Sequence, residues 1–254
     1  MRVIRIFFLL ITLFAIMIFI LPEPEGFPIL EYHQITDNPE EGFEVYSVPP
    51  AEFAAQLDYL QEKGYTTITL QDFMRVLHGK GTLPDKPIIL TFDDGYEDNY
   101  TEMLPILEAH NMKAVVYVIT NNIGKPGFLT LEQIKDMQNR GIEIGSHTAD
   151  HLSLKNLDDA LRRYEIRDSK IFLEWSGLKT IYSFSYPNGD YTSEMIDILK
   201  GEEYLSAVTG DVGLNHIKTN PLLLKRVHIR KPTFGIMEFR WRLLKAKIFA
   251  KFRN

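Results

Sequence analysis

Residues 90–100 read LTFDDGYEDNY, four acidic side chains in eleven positions, and the hydrophobic run KPIIL leads straight into them. Two adjacent carboxylates, Asp93 and Asp94, at the end of a buried strand repel each other unless a cation sits beside them. One of the pair can hold a metal ion while its neighbour handles a proton. A second stretch, GSHTADHLSL, carries His147 and His151 four residues apart. That spacing puts two imidazoles on one side of a helix or tight loop, ready for one ion. Each motif alone also has a bland reading, an Asp–Gly turn or two unrelated surface histidines. Together they make a two-histidine, one-carboxylate set with Asp93 left over beside it. Three protein ligands leave a metal position open for water, whose pKa falls toward neutral, and a free carboxylate can take its proton.

The elements that position these groups are legible as an alternation. Strand candidates are 27–33, 65–70, 87–92, 114–119, 142–147, 181–187, 204–209 and 225–229. Helical patterns lie between them at 50–64, 130–141, 156–175 and 192–201, the second opening on a Thr130/Gln133 capping box. Strand, helix, strand repeated about seven times is α/β with a parallel sheet, open or closed into a barrel. The continuous apolar strands PIIL and AVVYVI suit a sheet covered on both faces. In such folds chemistry gathers at the C-terminal strand ends. Asp93-Asp94-Gly95, His147, His33 and Pro187-Asn188-Gly189 all stand at such ends.

Composition is that of an ordinary globular chain, 254 residues with 45% hydrophobic and 24% charged, which excludes extensive disorder. The absence of cysteine excludes disulfides, thiolate metal sites and cysteine nucleophiles. Formal net charge of -6 argues against a nucleic-acid partner. The charge is uneven: residues 238–254 carry +5 and the rest about -11.

TFDDG, HTADH and SYPNGDY, in that order across roughly residues 88–191, resemble the first three motifs of the polysaccharide deacetylases, carbohydrate esterase family 4 with the NodB-homology fold. The resemblance implies a distorted (β/α) barrel, Asp93 as catalytic base, and Asp94, His147 and His151 as ligands of a divalent metal, zinc first, with cobalt or nickel as alternatives. The third motif departs from the common pattern: Ser185 stands where an arginine usually buttresses the base, and Asn188 replaces an aromatic residue. The backbone N–H at Asn188 still suits an oxyanion donor. Both this departure and the lack of a clear late Leu-x-His motif resemble the biofilm poly-N-acetylglucosamine deacetylases, over about residues 27–235. That branch implies His33, in PILEYH, as catalytic acid. Arg226 is the candidate for the missing buttress. His228, in KRVHI, is the competitor for that acid role, although a histidine inside a strand more often reads as packing.

The N-terminus puts Arg2 and Arg5 before a run from Ile6 to Leu21 that holds no charge. This predicts a signal anchor over residues 1–22, with the rest exported; cleavage would make the protein secreted. Residues 23–235 form the expected catalytic domain. Residues 236–254 form a basic helix with Trp241, Leu244, Ile248 and Phe252 on one face, suited to anionic lipid; an ordinary packing helix is the alternative. The expected activity is metal-dependent N-deacetylation of an N-acetylglucosamine polysaccharide at the cell surface. A peptidoglycan or chitin-oligomer deacetylase and a catalytically weak glycan-binding module are the alternatives.

Overall fold

The computed structural model describes residues 25–39 and 41–253. Among them, seven parallel strands close into a barrel: β1 (Ile29–Tyr32), β10 (Leu224–His228), β9 (Ser206–Val212), β8 (Ser183–Ser185), β7 (Glu143–Ser146), β6 (Val115–Val118) and β5 (Pro87–Phe92), which returns to β1. A further strand, β4 (Thr66–Thr67), pairs with the start of β5, while β2 (Gln34–Ile35) and β3 (Ser47–Val48) pair separately just beyond β1.

Successive strand side chains point to opposite faces, and two apolar clusters record that alternation. Leu30, Tyr32, Leu90, Phe92, Val116 and Val118 pack outward under the helices. Ile29, Ile89, Val115, Tyr117, Val208 and Leu224 belong to a second cluster inside the barrel. Following the inward series toward the C-terminal ends changes its chemistry. Ile29 is succeeded by Glu31 and His33, Ile89 by Thr91 and Asp93, Leu224 by Arg226 and His228. The barrel is therefore apolar at its base and ionisable at its mouth.

The helices lock these strand ends. The helix α1 (Pro50–Glu62) starts with proline in its first turn and buries Phe53, Leu57 and Leu60. The Phe53 ring meets Tyr32 at 5.4 Å and Phe92 at 5.7 Å, and those two stack at 5.1 Å. Burying three such rings contributes about 1.5–3 kcal/mol each and fixes the residues immediately before His33 and Asp93. Next come α2 (Leu70–Leu77), α3 (Leu104–Ala109) and α4 (Leu131–Asn139). The Thr130/Gln133 capping box opens α4 as the sequence predicts. The sequence reading carried the strand at 65–70 too far: Thr69 is instead the N-cap of α2, in a capping box with Asp72. The helix expected over 156–175 is divided into α5 (Asp159–Arg163), a π-helical turn (Tyr164–Asp168) and α6 (Ser169–Trp175). The last helices are α7 (Ser193–Gly201) and α8 (Ile236–Arg253).

The expected anchor, residues 1–22, lies outside the described residues. Among the described residues no helix is long and apolar enough to cross a membrane.

Candidate active site

All seven residues singled out from the sequence, His33, Asp93, Asp94, His147, His151, Asn188 and Arg226, line one cleft of about 320 Å³ at the barrel mouth. A larger groove, about 750 Å³, lies between α2 and the residues that lead into β5 and β6, away from this cluster. Polar convergence, not volume, distinguishes the cleft.

The loops that present these groups run through an unusual backbone conformation. Asp94, Thr148, His151 and Asn188 all have positive φ, between 57° and 76°. This region is costly for residues with a side chain and persists where surroundings impose it. At Asp94 the strand turns sharply: Gly95 follows with φ 75°, and a Cβ there would press on Val118 at 3.0 Å. In the histidine loop, buried Glu165 accepts the N–H groups of Ala149 at 3.0 Å and Asp150 at 2.9 Å. His151 N–H donates to Thr148 Oγ1 at 2.9 Å. Glu165 was not foreseen from the sequence, because a lone acid in a helical pattern reads as surface.

Asp94 Oδ1 lies 3.6 Å from His147 Nε2 and 3.8 Å from His151 Nε2. Donors at about 2.1 Å around a tetrahedral ion stand about 3.4 Å apart, so the two Asp94 separations suit a small divalent cation, and all three donor atoms lie within 4.8 Å of one another. The His147 Nδ1–H donates to the Ser185 carbonyl at 2.8 Å, which leaves the Nε2 lone pair facing Asp94. Burial, then the neighbouring His147, drives the His151 imidazole down to about 4 against the pull of Asp94. It therefore offers a lone pair at neutral pH.

Asp93 is held by different partners. Arg226, 2% exposed, donates to both of its oxygens, at 2.9 Å and 2.8 Å. Ser185 Oγ adds a bond at 3.1 Å. Burial alone would raise the Asp93 carboxyl, but the Arg226 guanidinium, followed by His147, holds it well below the usual carboxylate range. Arg226 also contacts Glu31 at 2.8 Å and donates to the Thr209 carbonyl at 3.1 Å. A register shift between Leu224 and Arg226, where β10 meets β9, aims the Thr209 carbonyl there.

Glu31 and His228 extend the network; Glu31 was not singled out from the sequence. The His228 Nδ1 meets Glu31 Oε1 at 2.7 Å and its Nε2 meets the Gly210 carbonyl at 3.0 Å. A carbonyl only accepts, so Nε2 carries a proton; an ionised Glu31 also accepts, so Nδ1 carries one too. The hydrogen bond to Glu31 raises the His228 pKa, against desolvation. For Glu31, burial is outweighed by Arg226 and His228, and its carboxyl sits below the ordinary value. The reading of His228 as packing is thus corrected: it stands at the end of β10, bonded at both nitrogens and lining the cleft.

His33 stands across the cleft. Its ring lies 5.0 Å from Tyr46, and its buried Nδ1 has no partner among the described residues. Asn188 sits in a left-handed turn whose closure needs the next residue to be glycine. A Cβ at Gly189 would lie 2.3 Å from Gly210.

Seven parallel strands with an Asp94–His147–His151 cluster at the mouth that could hold a metal ion point to the class, and comparison with known proteins agrees. Residues 80–205 match the polysaccharide deacetylase family. YxkH of Bacillus subtilis (strain 168), described as a polysaccharide deacetylase, is 34% identical over 207 residues, 82% of this chain and 72% of that one. The poly-β-1,6-N-acetyl-D-glucosamine N-deacetylase of Staphylococcus epidermidis is 28% identical over 169 residues, 61% of this chain and 58% of that enzyme. Among solved structures, the Streptococcus pyogenes deacetylase PplD, in complex with acetate, superposes with a TM-score of 0.79 at 29% identity, covering 88% of this chain and 99% of that one. The chain belongs to the polysaccharide deacetylase family. It is a hydrolase of amide bonds.

Proposed function

We propose that this chain removes acetyl groups from N-acetylglucosamine units of an extracellular polysaccharide, with poly-β-1,6-N-acetylglucosamine as the first-choice polymer. The observation that carries this reading is one cleft in which Asp93, locked on Arg226, adjoins the Asp94–His147–His151 set and faces His33. The name of the staphylococcal relative supports the polymer. A bound divalent ion, zinc first, would supply Lewis acidity for the acetyl carbonyl and the attacking water. Asp93 accepts the water proton as general base. Arg226 keeps that carboxylate ionised and fixed in direction. The Asn188 backbone N–H donates to the developing oxyanion. His33 protonates the departing nitrogen, since an amine anion is a very poor leaving group. Acetate and a glucosamine unit with a free amine are the products.

We place the domain outside the cytoplasm, tethered by residues 1–22. Two arginines precede the apolar run on its short side. Cleavage after that run would release the domain.

The test is acetate release from β-1,6- and β-1,4-linked N-acetylglucosamine oligomers of equal length. Faster release from the β-1,6 series supports the polymer named. The reverse preference moves the substrate to chitin oligomers or peptidoglycan. Release from neither refutes the reading.

A further inference from the structure

The helix α8 has two apolar faces, and only one is used. Phe239, Leu243 and Ala246 are buried, with Ile236 and Ala250 partly buried against the same core. On the opposite side Met237 is 70% exposed, Trp241 57% and Leu244 47%. At 100° per residue, these three and half-buried Ile248 fall within an arc of about 60°. Phe252, expected on this face, has a side chain outside the described residues. Basic side chains flank the stripe on both sides, Arg240 and Lys247 on one and Lys245 on the other. An exposed apolar stripe edged with cations is the pattern of a helix lying in a bilayer interface.

A second observation places the C-terminal end of α8 near the start of the described chain. Glu25 lines a small cavity with Phe249 and Ala250 of α8. Two residues later the chain is pinned by the antiparallel Phe27–Asn215 bridge. The polypeptide therefore enters the barrel beside the C-terminal half of α8. Only Pro22, Glu23, Pro24 and Glu25 separate that point from the apolar run ending at Leu21. Four residues reach at most about 14 Å. With the run in a bilayer, the C-terminal end of α8 lies within that reach of it.

The geometry points to α8 as a docking surface for an anionic bilayer, seated by the Met237–Trp241–Leu244 stripe and its flanking cations. This goes beyond the proposed chemistry. It has one consequence for it: His228 lines both the catalytic cleft and the groove beneath Trp241. Docking brings the β10 rim of the cleft to the membrane surface, where a polymer emerging from the envelope would meet it.

The experiment uses the full chain. The sequence holds two tryptophans, Trp175 and Trp241, and Trp175 is 87% exposed, so Trp175→Phe leaves Trp241 as a sole reporter without touching the core. The variant is reconstituted into vesicles carrying lipids brominated high on the acyl chain. In vesicles containing phosphatidylglycerol, the Trp241 emission is expected to shift to the blue and lose most of its intensity. It should recover partly near 1 M salt, where screening falls to about 3 Å. Adding Leu244→Glu should abolish the quenching while acetate release from soluble oligomers is unchanged. Vesicle-bound protein with unquenched Trp241, equal quenching in zwitterionic vesicles at all salt concentrations, or failure of the chain to float with vesicles would each overturn the proposal. So would a blue shift in detergent that follows protein concentration, which would make a second copy the occupant. Loss of oligomer hydrolysis without loss of quenching would strike the proposed function alone.

Discussion

Replacing Arg226 with methionine separates the cation from two buried carboxylates at once. The guanidinium lies 2.8 Å from Glu31 and from the nearer Asp93 oxygen, and Arg226 and Asp93 are each 2% exposed. Solvent cannot take over the neutralisation. Removing one partner of a buried ion pair costs about 3–5 kcal/mol, a large share of the roughly 5–15 kcal/mol that holds a domain together. For a chain of this length each kcal/mol moves the midpoint by about 2–4 °C, so Arg226→Met should unfold about 6–20 °C lower. Arg226→Lys keeps the charge but loses the planar fork that grips both Asp93 oxygens, and should fall between. The assay is thermal unfolding at pH 7, followed by circular dichroism, with turnover measured on the same preparations. A midpoint for Arg226→Met within about 2 °C of the parent would refute the claim that Asp93 depends on this guanidinium.

Other expectations follow from the same geometry. Asp94→Ala, His147→Ala and His151→Ala should each lose bound metal and turnover together, read by elemental analysis of purified protein; full occupancy in any of them would remove that residue from the ligand set. Asp93→Asn should retain the metal while turnover falls about 10²-fold or more, and near-normal turnover would end its assignment as base. His33→Ala should keep metal and fold and lose amide hydrolysis, while an activated acetate ester with a good leaving group is spared; equal loss on both substrates would argue against a proton donor. The His228 pKa is raised in the folded chain from an ordinary 6.5, so its contribution to stability is fully present below about that pH and is lost as pH rises through the raised value. His228→Gln should lack this decline in chemical denaturation measured across that range, and a parent-like slope would exclude His228 as its source.

The sequence showed the alternation of strands and helices through local signals, namely apolar strands, helical spacing and caps, while closure into a barrel was only what the family resemblance implied. It showed the candidate metal set because Asp94, His147 and His151 lie in two short motifs. What it hid is non-local. Glu31 and His228 are 197 positions apart; Arg226, 133 positions from Asp93, came only as the candidate buttress that the family resemblance called for. Nothing local marks Glu31, in LEYH, as the partner of a histidine at the far end of the chain. Only closure of β1 against β10 puts Glu31 abreast of His228. The departure at Ser185 was legible as a missing arginine. The structure seats a guanidinium from β10 against Asp93 instead, with Ser185 bonded to both partners. The helix α2 did carry a signal, since Thr69 and Asp72 have capping-box spacing. The run YTTITL outweighed it because β-branched residues favour strands. For α8 the packing alternative holds on one side, where Phe239, Leu243 and Ala246 are buried.

The most direct test of the central claim is acetate release from a β-1,6-linked N-acetylglucosamine oligomer by the full chain as purified, after chelation, and after reloading with zinc, cobalt or nickel. Release that chelation abolishes and a divalent ion restores, with Asp93→Asn silent throughout despite a full complement of metal, is the predicted result. Undiminished release after complete removal of metal, or release by Asp93→Asn at the parental rate, would contradict it.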